Sequence, residues 1–126
     1  MDLKENKFGM RRFTKSFGYA WQGIKGVWKS EQNFRIHVCA AFVAVILAII
    51  LSISVVEWMI LVLLIFGMLA LETLNTAVEK AVDLITEEYH PLAKASKDLA
   101  SAAVFFFAIG SFIIGCLIFI PKIFRF

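Results

Sequence analysis

Apolar residues fall into three long runs, preceded by a weaker periodic pattern. Residues 1–7 are polar and expected to fray. Between 8 and 28, Phe13, Phe17, Trp21, Ile24 and Trp28 recur every three or four positions. Arg12, Lys15, Gln22, Lys25 and Lys29 fall largely between them. An aromatic stripe opposite a basic one predicts a helix over 8–30 lying in a membrane interface. Gly18, Gly23 and Gly26 each weaken that helix by up to about 1 kcal/mol. They mark a bend, or a place where a ligand approaches the backbone; a plain amphipathic anchor suits the pattern equally. Residues 30–35 form a polar break, in which Ser30 is expected to cap the next helix.

The first apolar run, 36–56, has about the length a spanning helix needs, and His37 is its one potentially charged member. Ala40, Ala44 and Ala48 give it a small-residue face. Glu57 and Trp58 mark the far interface. The second run starts at Trp58 and predicts a helix over 58–83. A polar connection, 84–97, leads to a third helix over 98–120, with Ser111 and Gly115 on a second small-residue face and Pro121 as its stop. The pattern describes an all-α membrane protein: a single unit over 1–126, with one surface helix and three transmembrane helices.

The second helix carries the chemistry. In LALETLNTAVEKAVD (69–83), Glu72, Asn75, Glu79 and Asp83 stand at i, i+3, i+7 and i+11. At about 100° per residue they share roughly a 60° arc. A helix simply emerging into water explains Asp83, and Glu79 less fully. It explains Glu72 poorly, because the apolar run before it crosses only part of a bilayer. Glu72 is expected about 7–8 Å inside the end of the span, at 1.5 Å per residue, near the lipid headgroups. An ionisable residue there reads as functional.

Composition agrees with the runs. Hydrophobic residues make up 60% of the 126, and mean hydropathy is +0.80, above the roughly 45–50% of a soluble domain. The 13 Lys and Arg outnumber the 10 Asp and Glu, but placement says more. Lys4, Lys7, Arg11, Arg12, Lys15, Lys25, Lys29 and Arg35 all precede the first spanning segment, a cluster attracted to anionic lipid. No nucleic-acid motif accompanies them. The second connection adds Lys80, Lys94 and Lys97, and the first has none. The N-terminus and second connection are therefore expected in the cytoplasm and the C-terminus outside, against Lys122 and Arg125. Cys39 and Cys116 lack metal-ligand spacing and read as small buried hydrophobes. No cleavable signal peptide is expected. Gly18 and Gly23 have P-loop spacing, but Ile24 stands where lysine is required, so no Walker site is read here.

This topology gathers Glu31, the Glu72–Asp83 stripe, Lys97 and Asp98 at one interface. Glu31 also reads as a surface partner of Lys29 or Arg35, worth little. Paired carboxylates suit magnesium on nucleotide phosphates, a lysine suits phosphate charge, and a carboxylate in an apolar site suits a base. These are parts of phosphoryl transfer; spacing alone names neither nucleotide nor acceptor.

GYAWQGIKGVWKSEQNFR (18–35), ETLNTAVEKAVD (72–83) and EYHPLAKASKDLASAAV (88–104) resemble the small bacterial integral-membrane diacylglycerol kinase and undecaprenol kinase family. The likeness runs from about Arg12 to Cys116, and NFRIH (33–37) looks more like the undecaprenol branch. The resemblance implies a homotrimeric bundle in the bacterial inner membrane, with active sites shared between subunits. It implies transfer of the ATP γ-phosphate to a lipid hydroxyl. The acceptor is undecaprenol, giving undecaprenyl phosphate for envelope synthesis, or alternatively diacylglycerol. Glu72 matches the catalytic base, and Glu31 and Glu79 the ligands of the Mg2+ carried by ATP. Arg12, Tyr19, Glu31, Glu79, Glu88, Tyr89, His90, Lys97 and Asp98 match nucleotide contacts. Arg12, Glu72 and Ser101 match the lipid side, with Asn75 and Asp83 in support. The competing classes are a small carboxylate-dependent transporter, which would spread polar groups through the membrane depth, and a structural assembly subunit, which has no need of Glu72.

Overall fold

The computed structural model describes residues 9–125, so the expected frayed segment 1–7 and Phe8 lie outside the described residues. Four helices account for nearly all of them: α1 (Met10–Ser30), α2 (Gln32–Leu51), α3 (Val55–Ile85) and α4 (Pro91–Ile123). The last three are long and apolar enough to cross a membrane. At 1.5 Å per residue, α3 is about 46 Å long, so it exceeds a hydrocarbon core of about 30 Å.

Local chemistry sets the helix ends and shifts several expected boundaries. Ser30 does not cap α2. It closes α1, and Glu31 is the α2 N-cap, without a side-chain cap bond. Arg35 donates from Nη1 to the Trp28 and Lys29 carbonyls, at 3.0 and 3.3 Å, a cation on the carbonyl end of α1. The first spanning helix stops at Leu51, short of 56. Ser52 takes the left-handed conformation (φ 52°), and Ile53 N–H reaches back to Ala48 O at 3.3 Å. That is a Schellman-type stop. Ser54 and Glu57 then form a reciprocal capping box that starts α3, and buried Ile53 and Trp58 join one cluster, as a hydrophobic staple requires.

The expected connection 84–97 is shorter than read, because α4 begins at Pro91. His90 Nδ1 accepts from Leu92 N–H at 3.1 Å, and proline suits the first helical position because its missing N–H would be unpaired there. Pro121 does not stop α4, which runs to Ile123. In the last turn it removes one bond, and Phe124 N–H still closes onto Ile120 O at 3.0 Å.

The helices α3 and α4 pack antiparallel along their length. Lys122 Nζ meets Glu57 Oε1 at 3.1 Å at one end. Near the middle, a Cβ built on Gly67 would lie 2.5 Å from the Phe107 ring tip. At the other end Lys97 Nζ meets Asp83 Oδ1 at 2.6 Å. The apolar core (Ala48, Ile53, Leu61, Ile118) lies toward the Glu57 end. Towards the other end the bundle opens into a groove of about 410 Å³ between α2, α3 and α4, lined by Ala40, Ala44, Ser111 and Gly115 among others. The two small-residue faces thus face a common space. Cys39 is exposed within the chain, contrary to the buried reading, and Cys116 is partly buried. The α1 helix packs on α2 and touches α3. Its stripe of Phe13, Phe17, Trp21, Ile24 and Trp28 is exposed, and only Val27 is buried.

Candidate functional site

Glu72 is the buried charge of the bundle. It is 4% exposed, beside buried Thr76. Thr76 Oγ1 donates to the Glu72 carbonyl at 3.1 Å. Across the helix interface, His37 Nε2 on α2 lies 3.2 Å from Glu72 Oε1. One chain therefore buries this carboxylate by itself. Three spans suffice to enclose Glu72, but not the other end of the stripe, where Asp83 is exposed. The physical reason is register: α3 runs past the start of α2, so the same stripe passes from the bundle into the open.

Pairing His37 with Glu72 sets that register. Seven residues further along α3 is Glu79; six back from His37 is Glu31, the N-cap of α2. By helical rise, at 1.5 Å per residue, Glu31 and Glu79 lie about 9 and about 10 Å from the His37–Glu72 pair along their own helices. Glu31 makes no ion pair with Lys29 or Arg35 among the described residues, since Arg35 is occupied by the α1 carbonyls. Asn75 Nδ2 donates to Glu79 Oε1 at 3.3 Å, which leaves Asn75 Oδ1 buried without a partner. No three His, Cys, Asp or Glu side chains cluster as a complete metal site among the described residues. A carboxylate beside a buried, unpaired amide oxygen nevertheless suits a hard cation that brings phosphate oxygens as further ligands.

A second group lies where α3 gives way to α4. Glu88, Tyr89, His90, Lys97 and Asp98 line one polar groove of about 360 Å³, with Thr86 and Lys94. Lys97 and Asp98 do not pair with each other. Lys97 holds Asp83, and Asp98 takes Lys94 Nζ at 2.6 Å. The hydrogen bond that Lys97 donates to Asp83 raises the pKa of its ammonium above the ordinary lysine value; this group precedes the apolar run 101–120. Glu88 N–H donates to Thr86 Oγ1 at 3.1 Å, and His90 doubles as the α4 cap. Ser101 is exposed one turn beyond Lys97. Arg12 and Tyr19 are exposed on α1, and neither lines the polar groove. Cβ atoms added at Gly18, Gly23 and Gly26 would meet nothing within 4 Å, so none of the described residues requires those glycines by close approach.

Sequence reasoning did not assign His37 to Glu72. The available signal was a lone polar side chain inside an apolar run, which a buried partner on another helix explains.

The family described as prokaryotic diacylglycerol kinase matches residues 18–119. The undecaprenol kinase of Bacillus subtilis (strain 168) is 50% identical over 123 residues, 98% of this chain and 100% of that protein. The diacylglycerol kinase of Escherichia coli (strain K12) is 34% identical over 116 residues, covering 92% and 95% of the two chains. That of Helicobacter pylori (strain 26695) is 41% identical over 95 residues, 75% and 74% of the two. With its three apolar helices and a match that spans all of them, the chain belongs to the prokaryotic diacylglycerol kinase family.

Proposed function

We propose that this protein is an ATP-dependent lipid kinase whose acceptor is undecaprenol. The relative that is half identical over nearly the whole chain is named for that substrate, and those named for diacylglycerol are less similar. The observation that carries the reading within this chain is Glu72, a carboxylate 4% exposed in an otherwise apolar stretch of α3. Glu72 takes the proton of the lipid hydroxyl; the lipid oxygen bonds to the γ-phosphorus as the bond to the departing ADP oxygen breaks. Magnesium enters with ATP as part of that substrate. Glu31 and Glu79 would hold it, supported by the unpaired Asn75 oxygen beside Glu79. Glu88, Tyr89, His90, Lys97 and Asp98 bind the nucleotide from the polar groove, with Arg12 and Tyr19 on α1. Arg12 and Ser101 also face the lipid.

The protein sits in the bacterial cell membrane with its N-terminus and active site in the cytoplasm. The positive-inside asymmetry supports this, and the contrary charge of Lys122 is offset by Glu57. The exposed aromatic stripe supports α1 as a helix lying in the interface. A homotrimer with composite sites is the assembly. Eleven residues, or about 16 Å at 1.5 Å per residue, separate Glu72 from the Asp83–Lys97 pair along α3, and a neighbouring copy brings a lysine nearer the base. The test is ATP consumption in detergent micelles with added undecaprenol or diacylglycerol, for the natural protein and Glu72→Gln. Lipid-dependent turnover, faster with undecaprenol and lost in Glu72→Gln, is expected. No dependence on either lipid would defeat the kinase reading, and a preference for diacylglycerol would correct the substrate.

A further inference from the structure

We propose that His37 is the positioning residue of the phosphoryl-transfer site. It holds one oxygen of Glu72 so that the other is presented to the lipid hydroxyl. The inference rests on the reading of Glu72 as the base. Its geometry comes from two different helices. His37 Nε2 on α2 lies 3.2 Å from Glu72 Oε1 on α3, with side-chain exposures of 28% and 5%. A carboxylate has two oxygens, and each can accept hydrogen bonds. Nε2 stands against Oε1, the nearer of the two oxygens; with the imidazole proton on Nε2 it would occupy Oε1 and leave Oε2 to the substrate.

The surroundings give this orientation a use. His37 also lines the apolar groove between α2, α3 and α4, with Met68, Ala41 and Ala108. His37 is thus the lining residue that joins this apolar space to Glu72, where a lipid's chain and its hydroxyl would part company. Thr76 satisfies the Glu72 main chain and leaves the side chain to His37. A base must be held close to the productive geometry by groups whose own placement is set by packing. His37 meets that need because the α2–α3 hairpin, stopped at Ser52 and restarted at Ser54, sets the register that brings it opposite Glu72.

The experiment compares His37→Leu, His37→Gln and Glu72→Gln in the full-length protein in micelles with lipid and magnesium–ATP. His37→Leu is expected to lower kcat by roughly tenfold to a hundredfold, as loss of an orienting partner does, with KM for ATP and lipid within about twofold of the natural protein. His37→Gln, whose amide N–H reaches to a similar distance, is expected to restore most of kcat. In 15N spectra of labelled histidine, the natural protein should show the Nε2–H tautomer, with a signal that moves in Glu72→Gln. If Glu72→Gln is inactive but His37→Leu keeps the natural kcat, or changes KM alone, the positioning role is overturned and the base stands. If Glu72→Gln stays active, the base reading itself is wrong. Should His37→Leu not fold, the spectra decide, because they need only the natural protein and Glu72→Gln. A histidine signal indifferent to residue 72 overturns the proposal.

Discussion

Individual side chains on α3 have different environments although they share one stripe. Glu72 is enclosed by its own chain, Glu79 is bonded to Asn75, and Asp83 reaches an α4 lysine. Glu79 and Glu31 are proposed to share one magnesium–nucleotide. Removing either should then disable one common function. Glu31→Ala and Glu79→Ala are each expected to weaken use of magnesium–ATP by roughly tenfold to a hundredfold. The double variant should lose much less than both losses together, because partners in one site are not independent. A magnesium titration of all four proteins measures this, and full additivity would assign the two carboxylates to separate tasks.

Among the helices, α3 and α4 leave no room for a methyl group at Gly67 unless Phe107 moves. The built Cβ at Gly67 falls 2.5 Å from Phe107 Cζ and 3.1 Å from its Cε2. Gly67→Ala must displace a ring held between two helices, and overpacking of this kind costs about 1–3 kcal/mol. Thermal unfolding in micelles should show a lower midpoint for Gly67→Ala. Adding Phe107→Leu, which shortens the side chain facing the new methyl, should recover part of the loss. An unchanged midpoint would mean that the ring turns aside freely. The spacing of small residues along the spans predicted close packing around Ala44, Ala48, Ser111 and Gly115. It did not single out Gly67, because a lone glycine in a hydrophobic run has no visible partner until α4 is laid against it.

For the molecule as a whole, most apolar surface faces outward. Phe42, Ile50, Leu63, Phe106 and Phe112 are among the exposed residues, and Ser111 Oγ is buried without a partner beside the open groove. Lipid or a second copy covers such surface. The proposed trimer makes a sharper claim, that one copy's Lys97 serves another's Glu72. Glu72→Gln and Lys97→Ala, each inactive alone, are to be unfolded, mixed and reassembled. Sites shared between copies should return a measurable part of the natural activity, because some mixed trimers contain one site with both groups intact. If mixing restores nothing, each site is complete within one chain.

The order of apolar and polar residues by itself determined the three membrane-length helices and the basic first helix, because a bilayer demands continuous apolar length and backbone bonds closed within each segment. It also determined that Glu72 and Asn75 face one way, since helical periodicity needs no partner. Some helix ends were legible but pass easily for span: Ser54 and Glu57 have capping-box spacing, and Pro91 suits a first turn. The tertiary structure alone decided which face is enclosed. It set the α2–α3 register that puts His37 opposite Glu72, drew Arg35 away from Glu31, and divided Lys97 and Asp98 between Asp83 and Lys94. These pairings join residues far apart in the chain or choose among near neighbours. Local spacing carries no information about how two helices slide and turn against each other; packing and the cost of leaving a buried charge alone decide that.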